Sequence, residues 1–280
     1  MREWLAKALA AYVLHTPIRR GRGTLGKLAW WMYPYPIMVK NEDGFSMKVK
    51  INDPNDRWVA GRCPEPHFER HVFVSYLQPG MTVIDAGANL GLYTLLISKT
   101  VGPHGRVYAF EPIPDLCNHL KDHLALNHAT NVECHQCALS DTQGTTMIAI
   151  DGAVSTIYFS ITSRVTEVPT TTIDRFVAEN HIDRIDAIKV DVEGAELNVI
   201  RGADTVIRRD KPILFVEINF ATLPAAGVRP EELFREIIRY GYAAYVIRSK
   251  KAIPVQETIE PHGQLYNSPY DNYIFLPLHC

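Results

Sequence analysis

The sequence predicts an α/β protein organised on an open, largely parallel sheet, and three observations carry that prediction. The run VIDAGANLG, residues 83–91, is an apolar strand that breaks into a glycine-bearing turn and opens a helix. From residue 82 onward, apolar strand-like runs alternate with helical patterns almost to the end of the chain. The strands also end in acids, with Asp85, Glu111, Asp191 and Glu217 each closing an apolar run.

Taken in order, an amphipathic helix is expected over residues 1–15, where Trp4, Leu5, Ala8, Leu9 and Tyr12 recur at helical spacing. A basic, glycine-bearing loop follows at 19–26, then a two-stranded segment over 37–51 that turns at Glu42, Asp43 and Gly44. A helix over 66–77 leads into the main sheet through Gln78, Pro79 and Gly80. Strands are expected at 82–85, 107–111 and 132–138, separated by helices at 90–100 and 114–126. Between 145 and 169 the alternation lapses into threonine- and serine-rich segments, which suit an antiparallel insertion or hairpin. It resumes with a helix at 173–179, a strand at 187–191, a helix at 195–208, a strand at 213–218 and a helix at 230–240. Strands at 243–248 and 273–276 bring the expected total to seven. The organisation is an amino-terminal cap or substrate region over 1–76 and one α/β domain over 77–280.

Composition excludes several classes. A net charge of −2 gives no general electrostatic reason to bind nucleic acid. Five cysteines in a chain of 280 residues do not make a disulfide framework. Cys134 and Cys137 form a lone C-x-x-C in an expected strand, where residues three apart face opposite sides, and no second pair follows to complete a zinc site. No uninterrupted apolar run approaches the ~20 residues of a membrane-spanning helix. The amino terminus lacks a small-residue cleavage site before HTPIRRGRG, so a cytoplasmic location is expected. Arg19, Arg20, Arg22 and Lys27 form a basic cluster suited to a phosphate or a membrane surface, with a solvated loop the simpler alternative. Trp30, Trp31, Tyr33 and Tyr35 suit stacking on a sugar or packing against the main domain.

The glycine turn indicates the ligand class. A dinucleotide site wants G-x-G-x-x-G, so that the pyrophosphate can approach the backbone and the helix can pack on the strand. Here Asn89 and Leu92 stand at the second and third glycine positions. The pattern D-x-G-A-N-x-G instead suits a ligand with a ribose and an amino acid group but no pyrophosphate, as in S-adenosylmethionine. Glu111 ends the next strand, where a carboxylate accepts hydrogen bonds from both ribose hydroxyls; NAD sites use an acid in the same place, so the missing glycines do most of the separating. Lys189, two residues before Asp191, falls on the same side of its strand and suits a paired charge, and Glu193 suits a cap of the following helix.

The segments VIDAGANLGLYT, GRVYAFEPIP, LALN ending at Asn127, ALSD from Ala138, TTTIDRF from Thr170 and IKVDVEGAELNVIRGA from Ile188 resemble, in order and spacing, the FkbM-type methyltransferases. The resemblance covers residues 65–218. It implies a class I methyltransferase (Rossmann-like) fold with a seven-stranded mixed sheet in the order 3-2-1-4-5-7-6, and methyl transfer from S-adenosylmethionine to a hydroxyl, often on a sugar or natural product. By the same resemblance, Asp85 and the turn residues Gly87, Ala88, Asn89 and Gly91 hold the methionine portion, Glu111 with Pro112 the ribose, and Ala138 with Leu139 the adenine edge. Tyr93 and Thr94 are further candidate contacts, and Asn127 either touches the cofactor or, preferably, ends its helix as a left-handed residue.

A sulfonium methyl is already activated, so the chain must align an acceptor oxygen and remove its proton. Asp191 is the first candidate for that task and Glu193 the second, with Lys189 beside them. A sugar hydroxyl is far less acidic than either carboxylic acid, so its proton leaves as the bond forms or a metal lowers its pKa. Asp191, Glu217 and Asn219, oxygen donors at adjacent strand ends, form a candidate Mg²⁺ set. The expected partner is a small-molecule or glycan acceptor. The competing readings are an NAD(P)-dependent nucleotide-sugar-modifying enzyme and a noncatalytic cofactor-binding protein.

Overall fold

The computed structural model describes residues 35–50, 68–151, 154–156, 164–248, 250–255 and 270–278, together with scattered positions among the first 31. Of the early helix, Trp4, Leu5, Ala8, Leu9 and Tyr12 are helical, whereas Arg19, Arg20, Arg22, Trp30 and Tyr33 lie outside the described residues. No helix among the described residues is long and apolar enough to cross a membrane.

After these scattered helical positions come an antiparallel hairpin, β1 (Ile37–Lys40) and β2 (Ser46–Val49), and a short helix, α1 (Phe68–Val74). The α/β alternation follows as β3 (Thr82–Ala86), α2 (Leu92–Val101), β4 (Arg106–Phe110), α3 (Pro114–Leu126) and β5 (Val132–His135). An inserted block contributes β6 (Ala138–Leu139), β7 (Gly144–Asp151), β8 (Val154–Thr156) and β9 (Arg164–Thr171). The rest comprises α4 (Ile173–Glu179), β10 (Ala187–Val190), α5 (Glu196–Arg201), α6 (Asp204–Asp210), β11 (Ile213–Asn219), α7 (Thr222–Ala225), α8 (Pro230–Ile238), β12 (Tyr242–Arg248), β13 (Lys251–Pro254) and β14 (Tyr270–Pro277).

The main sheet runs β13-β12-β14-β11-β10-β3-β4-β5. Strands β5, β4, β3, β10 and β11 are parallel, and β14 is antiparallel to both β11 and β12. The expected seven-stranded sheet therefore has eight, because the chain doubles back after β12 through Lys250 at φ 67 and adds the short β13 at the edge. The four residues of β10 are all buried, as a central parallel strand covered on both faces requires. One face packs Leu92, Leu95 and Leu120 with Phe45 and Met47 of the hairpin region and Phe73 of α1, so the hairpin and α1 share a core with the main sheet. The other face packs Ile84, Ile188 and Leu214 against Leu197, Ile200 and Ile207.

Four further expectations are corrected. The single strand over 132–138 is two: β5 ends opposite Phe110, the last residue of β4, and Ala138 and Leu139 pair instead with Thr170 and Thr171 of β9 in the inserted sheet. The helix over 195–208 breaks into α5 and α6 at Gly202, where a Cβ would stand 2.0 Å from the Ser140 carbonyl oxygen, so only glycine lets the break pack against the loop after β6. Asn127 is not left-handed, since its φ is −105, and the left-handed residue is His128 at φ 54. The C-x-x-C pair does not share a strand either; Cys134 Sγ lies 3.3 Å from Cys117 Sγ on α3.

Asn127 joins the hairpin to α3. Its side chain accepts from Ser46 N–H and donates to the Ser46 carbonyl, both at 2.8 Å. One turn earlier, His123 Nε2 lies 3.0 Å from the Lys48 amide nitrogen and 3.2 Å from the Lys48 carbonyl oxygen, while Nδ1 lies 2.8 Å from the Leu90 carbonyl oxygen. A helix edge thus substitutes for a third strand and ties the hairpin to the residue just before Gly91. His123→Ala should destabilise the protein by about 2–4 kcal/mol, because each buried backbone group left unpaired costs ~1–3 kcal/mol. Thermal unfolding checks this: a fall of several degrees is expected, and a melting temperature within about 1 °C of wild type would remove the role assigned to the bridge.

Candidate active site

The turn after β3 is shaped by what surrounds it. Gly87 sits at φ 79, and a Cβ there would lie 1.8 Å from the Asp191 carbonyl oxygen, so glycine is what allows the ends of β3 and β10 to meet. Gly91 sits at φ 89, where a Cβ would lie 2.5 Å from Leu120 Cδ1, and its absence lets α3 close on the turn. Asn89 holds a left-handed conformation at φ 49, which Asn tolerates better than most residues. The N–H groups of Gly87 and Ala88 both donate to the Phe110 carbonyl at 3.0 Å, which anchors the turn to the end of β4.

Behind the turn lies Lys189, 1% exposed. Its ammonium is 3.1 Å from Asp85 Oδ1 and 3.5 Å from Asp191 Oδ2, and it donates to the Gly87 carbonyl at 3.1 Å and the Ala86 carbonyl at 3.4 Å. Burial alone would lower the Lys189 pKa, but the two carboxylates outweigh it and hold the pKa above its ordinary value. Thr94 Oγ1 donates to Asp85 Oδ2 at 2.6 Å. Asp85, Thr94 and Lys189 are therefore enclosed behind the turn and shape it from within. Tyr93 packs beside this group, its ring centroid 5.5 Å from that of Phe215 and 5.1 Å from the Lys189 ammonium.

A cleft runs along the carboxyl ends of the strands, from the turn to β6. Of the residues expected at the site, Gly87, Asn89, Glu111, Pro112, Ala138, Leu139, Asp191 and Glu193 line it. Phe110, Leu116, Ile148 and Val192 also line it and were not anticipated from sequence. Phe110 was available as the last strand residue before the acid, whereas Ile148 comes from the inserted sheet and carries no local signal. Glu111 Oε2 accepts from Asn89 N–H at 2.9 Å and Oε1 from Ile113 N–H at 3.0 Å. Burial pushes its pKa up to about 7.

The loop after β10 is acidic and tightly held. The carboxylate of the buried Glu196 accepts from Gly194 N–H at 3.0 Å and Val192 N–H at 3.2 Å, and Glu193 between them takes φ 55. Burial, with the hydrogen bonds opposing it, brings the Glu196 pKa to about 7. Burial, then Asp191 and Glu196, pushes Glu193 up to about 8, and burial followed by Asp191, Glu193 and Glu196 raises Glu217 well above its usual range. Oxygens of Asp191, Glu193 and Glu217 all lie within 4.8 Å of one another. Asn219, expected in this group, uses its Oδ1 to accept from Ala221 N–H at 2.9 Å and Thr222 N–H at 3.1 Å, starting α7. The strand ends at Asn219, so its side chain turns back to the following loop while Glu217, still within the sheet, stays with the acids.

An open α/β sheet with a glycine turn after its first parallel strand, an acid closing the next strand and a cleft across both ends defines a class I methyltransferase-like fold. Residues 85–244 match the family model described as the methyltransferase FkbM domain. The chain is 28% identical over 206 residues to methyltransferase sdnD of Sordaria araneosa, which covers 59% of this chain and 75% of that protein. It is 28% identical over 145 residues to methyltransferase 1 of Beauveria bassiana, covering 44% of this chain and 58% of that one. A solved structure similar to it is the methyltransferase FkbM of Methylobacillus flagellatus, 15% identical with a TM-score of 0.48, covering 98% of this chain and 59% of that chain. The chain belongs to the FkbM methyltransferase-domain family, and is an S-adenosylmethionine-dependent methyltransferase of that type.

The raised acids set the direction of pH dependence. Between about pH 5 and pH 8 the folded chain keeps protons on Glu111, Glu193 and Glu196 that unfolded glutamates, with pKa ~4.3, have already lost. Stability therefore falls as pH rises through that window. His135, whose pKa burial lowers, acts in the opposite sense but as one group against several. Urea midpoints should decline over the interval and decline less in Glu193→Gln. A midpoint that climbs across the window would contradict the burial of these acids.

Proposed function

We propose that the chain methylates a hydroxyl oxygen of a small-molecule or glycan acceptor, with Asp191 taking or orienting the proton. The observation that carries this is the half-buried Asp191 carboxylate, 32% exposed, at the rim of the cofactor cleft and held from behind by Lys189 at 3.5 Å. Lys189 aims Asp191 from behind, while the carboxylate keeps an accessible face.

The remaining roles follow from position. Glu111 accepts the ribose hydroxyls, the turn from Gly87 to Gly91 receives the methionine portion, and Ala138 and Leu139 border the adenine. Phe110, Leu116 and Ile148 supply apolar walls that suit a flat heterocycle. In the transfer, the acceptor oxygen bonds to the methyl carbon as the S–CH₃ bond breaks, and that electron pair stays on sulfur, giving a neutral thioether. The hydroxyl proton passes to Asp191 as the new bond forms, because a free alkoxide would be far too basic to precede it. Asn89 and Leu92, standing where a dinucleotide turn needs glycine, disfavour an NAD(P)-dependent enzyme.

S-adenosylhomocysteine should raise the melting temperature, and NAD(P) should not. Its affinity should increase with pH up to about 7 and then level, since Glu111 must be ionised to accept both hydroxyls, and Glu111→Gln should bind weakly at every pH. Asp191→Asn should lower kcat by roughly 10²–10⁴ with S-adenosylhomocysteine binding preserved, the range expected for loss of a general base. Wild-type turnover in Asp191→Asn would overturn its assignment.

A further inference from the structure

We propose that Asp191, Glu193 and Glu217 bind a hard divalent cation at the edge of the cofactor cleft. The site stands on geometry; the role given to the cation rests on the methyl-transfer reading above.

The first support is reach. The three carboxylate oxygens lie within 4.8 Å of one another. Three oxygens no more than 4.8 Å apart share a centre no farther than about 2.8 Å from each, against coordination distances of ~2.3–2.6 Å for Ca²⁺ and ~2.0–2.1 Å for Mg²⁺, so small side-chain rotations bring the triad into one coordination sphere. The second is independent of the first. Glu217 is 8% exposed, and its Oε2 is buried without a hydrogen-bond partner. A buried carboxylate oxygen in that state is costly unless a proton or a cation meets it, and a cation shared with Asp191 and Glu193 meets all three acids at once. Lys189, which pairs with Asp191, is already shared between Asp85, Asp191 and two turn carbonyls.

The donor set selects the ion class. Three carboxylates with no imidazole or thiolate among them suit Mg²⁺, Mn²⁺ or Ca²⁺ rather than Zn²⁺ or Cu²⁺. Placement gives such an ion a use. Glu217 holds it from the sheet interior, whereas Asp191 and Glu193 line the cleft, leaving the cleft side open to water or to an acceptor oxygen. A hydroxyl in that position is oriented and made more acidic. The sequence-based set of Asp191, Glu217 and Asn219 is thereby replaced at one position, with Glu193 taking the place of Asn219.

The test uses Mn²⁺ as the probe on the full chain stripped with chelator, read by electron paramagnetic resonance, with S-adenosylhomocysteine binding measured on the same samples. Saturable binding of one Mn²⁺ per chain is expected, displaced by Mg²⁺ or Ca²⁺. Glu217→Gln and Glu193→Gln should each weaken it by about tenfold or more, at least what loss of an outer-shell partner costs a metal site. Asn219→Ala should leave it unchanged. Glu193→Gln, in a loop, keeps the test decisive if the buried Glu217 variant does not fold. Absence of saturable Mn²⁺ binding, or wild-type affinity in Glu193→Gln, overturns the site, and intact S-adenosylhomocysteine binding in those samples leaves the methyltransferase reading standing. Mn²⁺ binding without S-adenosylhomocysteine binding would uphold the site and remove the role assigned to it.

Discussion

The ammonium of Lys189 is the interaction on which the cofactor end of this fold depends. It joins the ends of two parallel strands, because it rises from β10 yet bonds Asp85 and the Ala86 and Gly87 carbonyls at the end of β3. Gly87 is its geometric counterpart, since any side chain there would collide with the Asp191 carbonyl and separate the strands. Removing the ammonium would leave Asp85 buried with an uncompensated charge, a loss of about 3–5 kcal/mol and a large part of a typical folding free energy. The same group tethers the turn and aims Asp191, so the shape of the cofactor site and the state of the candidate base are not independent.

Around this centre the polar groups divide into two sets. Those behind the turn, Asp85, Thr94 and Lys189, satisfy one another and are closed to solvent. Those at the edge of the cleft, Asp191, Glu193 and Glu217, crowd three acids together, and burial followed by that crowding raises the pKa values of Glu193 and Glu217. A protein retains such a cluster at a stability cost, and catalytic or ligand-binding use is the usual reason. The scaffold holds it in place through Glu196, whose carboxylate fixes the loop that presents Glu193. At a distance, the hairpin bridge through His123 and Asn127 steadies α3, and α3 in turn packs Leu120 against Gly91.

The elements with strong local periodicity were legible in the sequence. The helices at 114–126 and 173–179 fall at the expected residues, because a proline or threonine opens each and an asparagine follows each end. The split of β5 from β6 was not legible, since residues 132–139 carry no glycine, proline, asparagine or aspartate to mark a turn and only pairing with β9 reveals the change of sheet. The break at Gly202 reads as tolerable within a helix, and what forces it is a carbonyl sixty residues earlier in the chain. At the site, strand ends pointed to Asp191, Glu111 and Glu217 because parallel sheets present those positions on one edge. Asn219 leaves the acids, although alternation puts it beside Glu217, because at a strand end side-chain direction is set by loop hydrogen bonds that no periodic pattern encodes.

The most direct measurement is a crystal structure of the chain with S-adenosylhomocysteine. The ribose hydroxyls should lie on the Glu111 carboxylate, with the adenine between Leu116 and the Ala138–Leu139 strand. The thioether sulfur should face Asp191, and Lys189 should still hold Asp85 and the Gly87 carbonyl. A nucleoside bound outside this cleft, or a Lys189 that has left Asp85 to meet the ligand, would contradict the claim that a buried ammonium builds the site from behind.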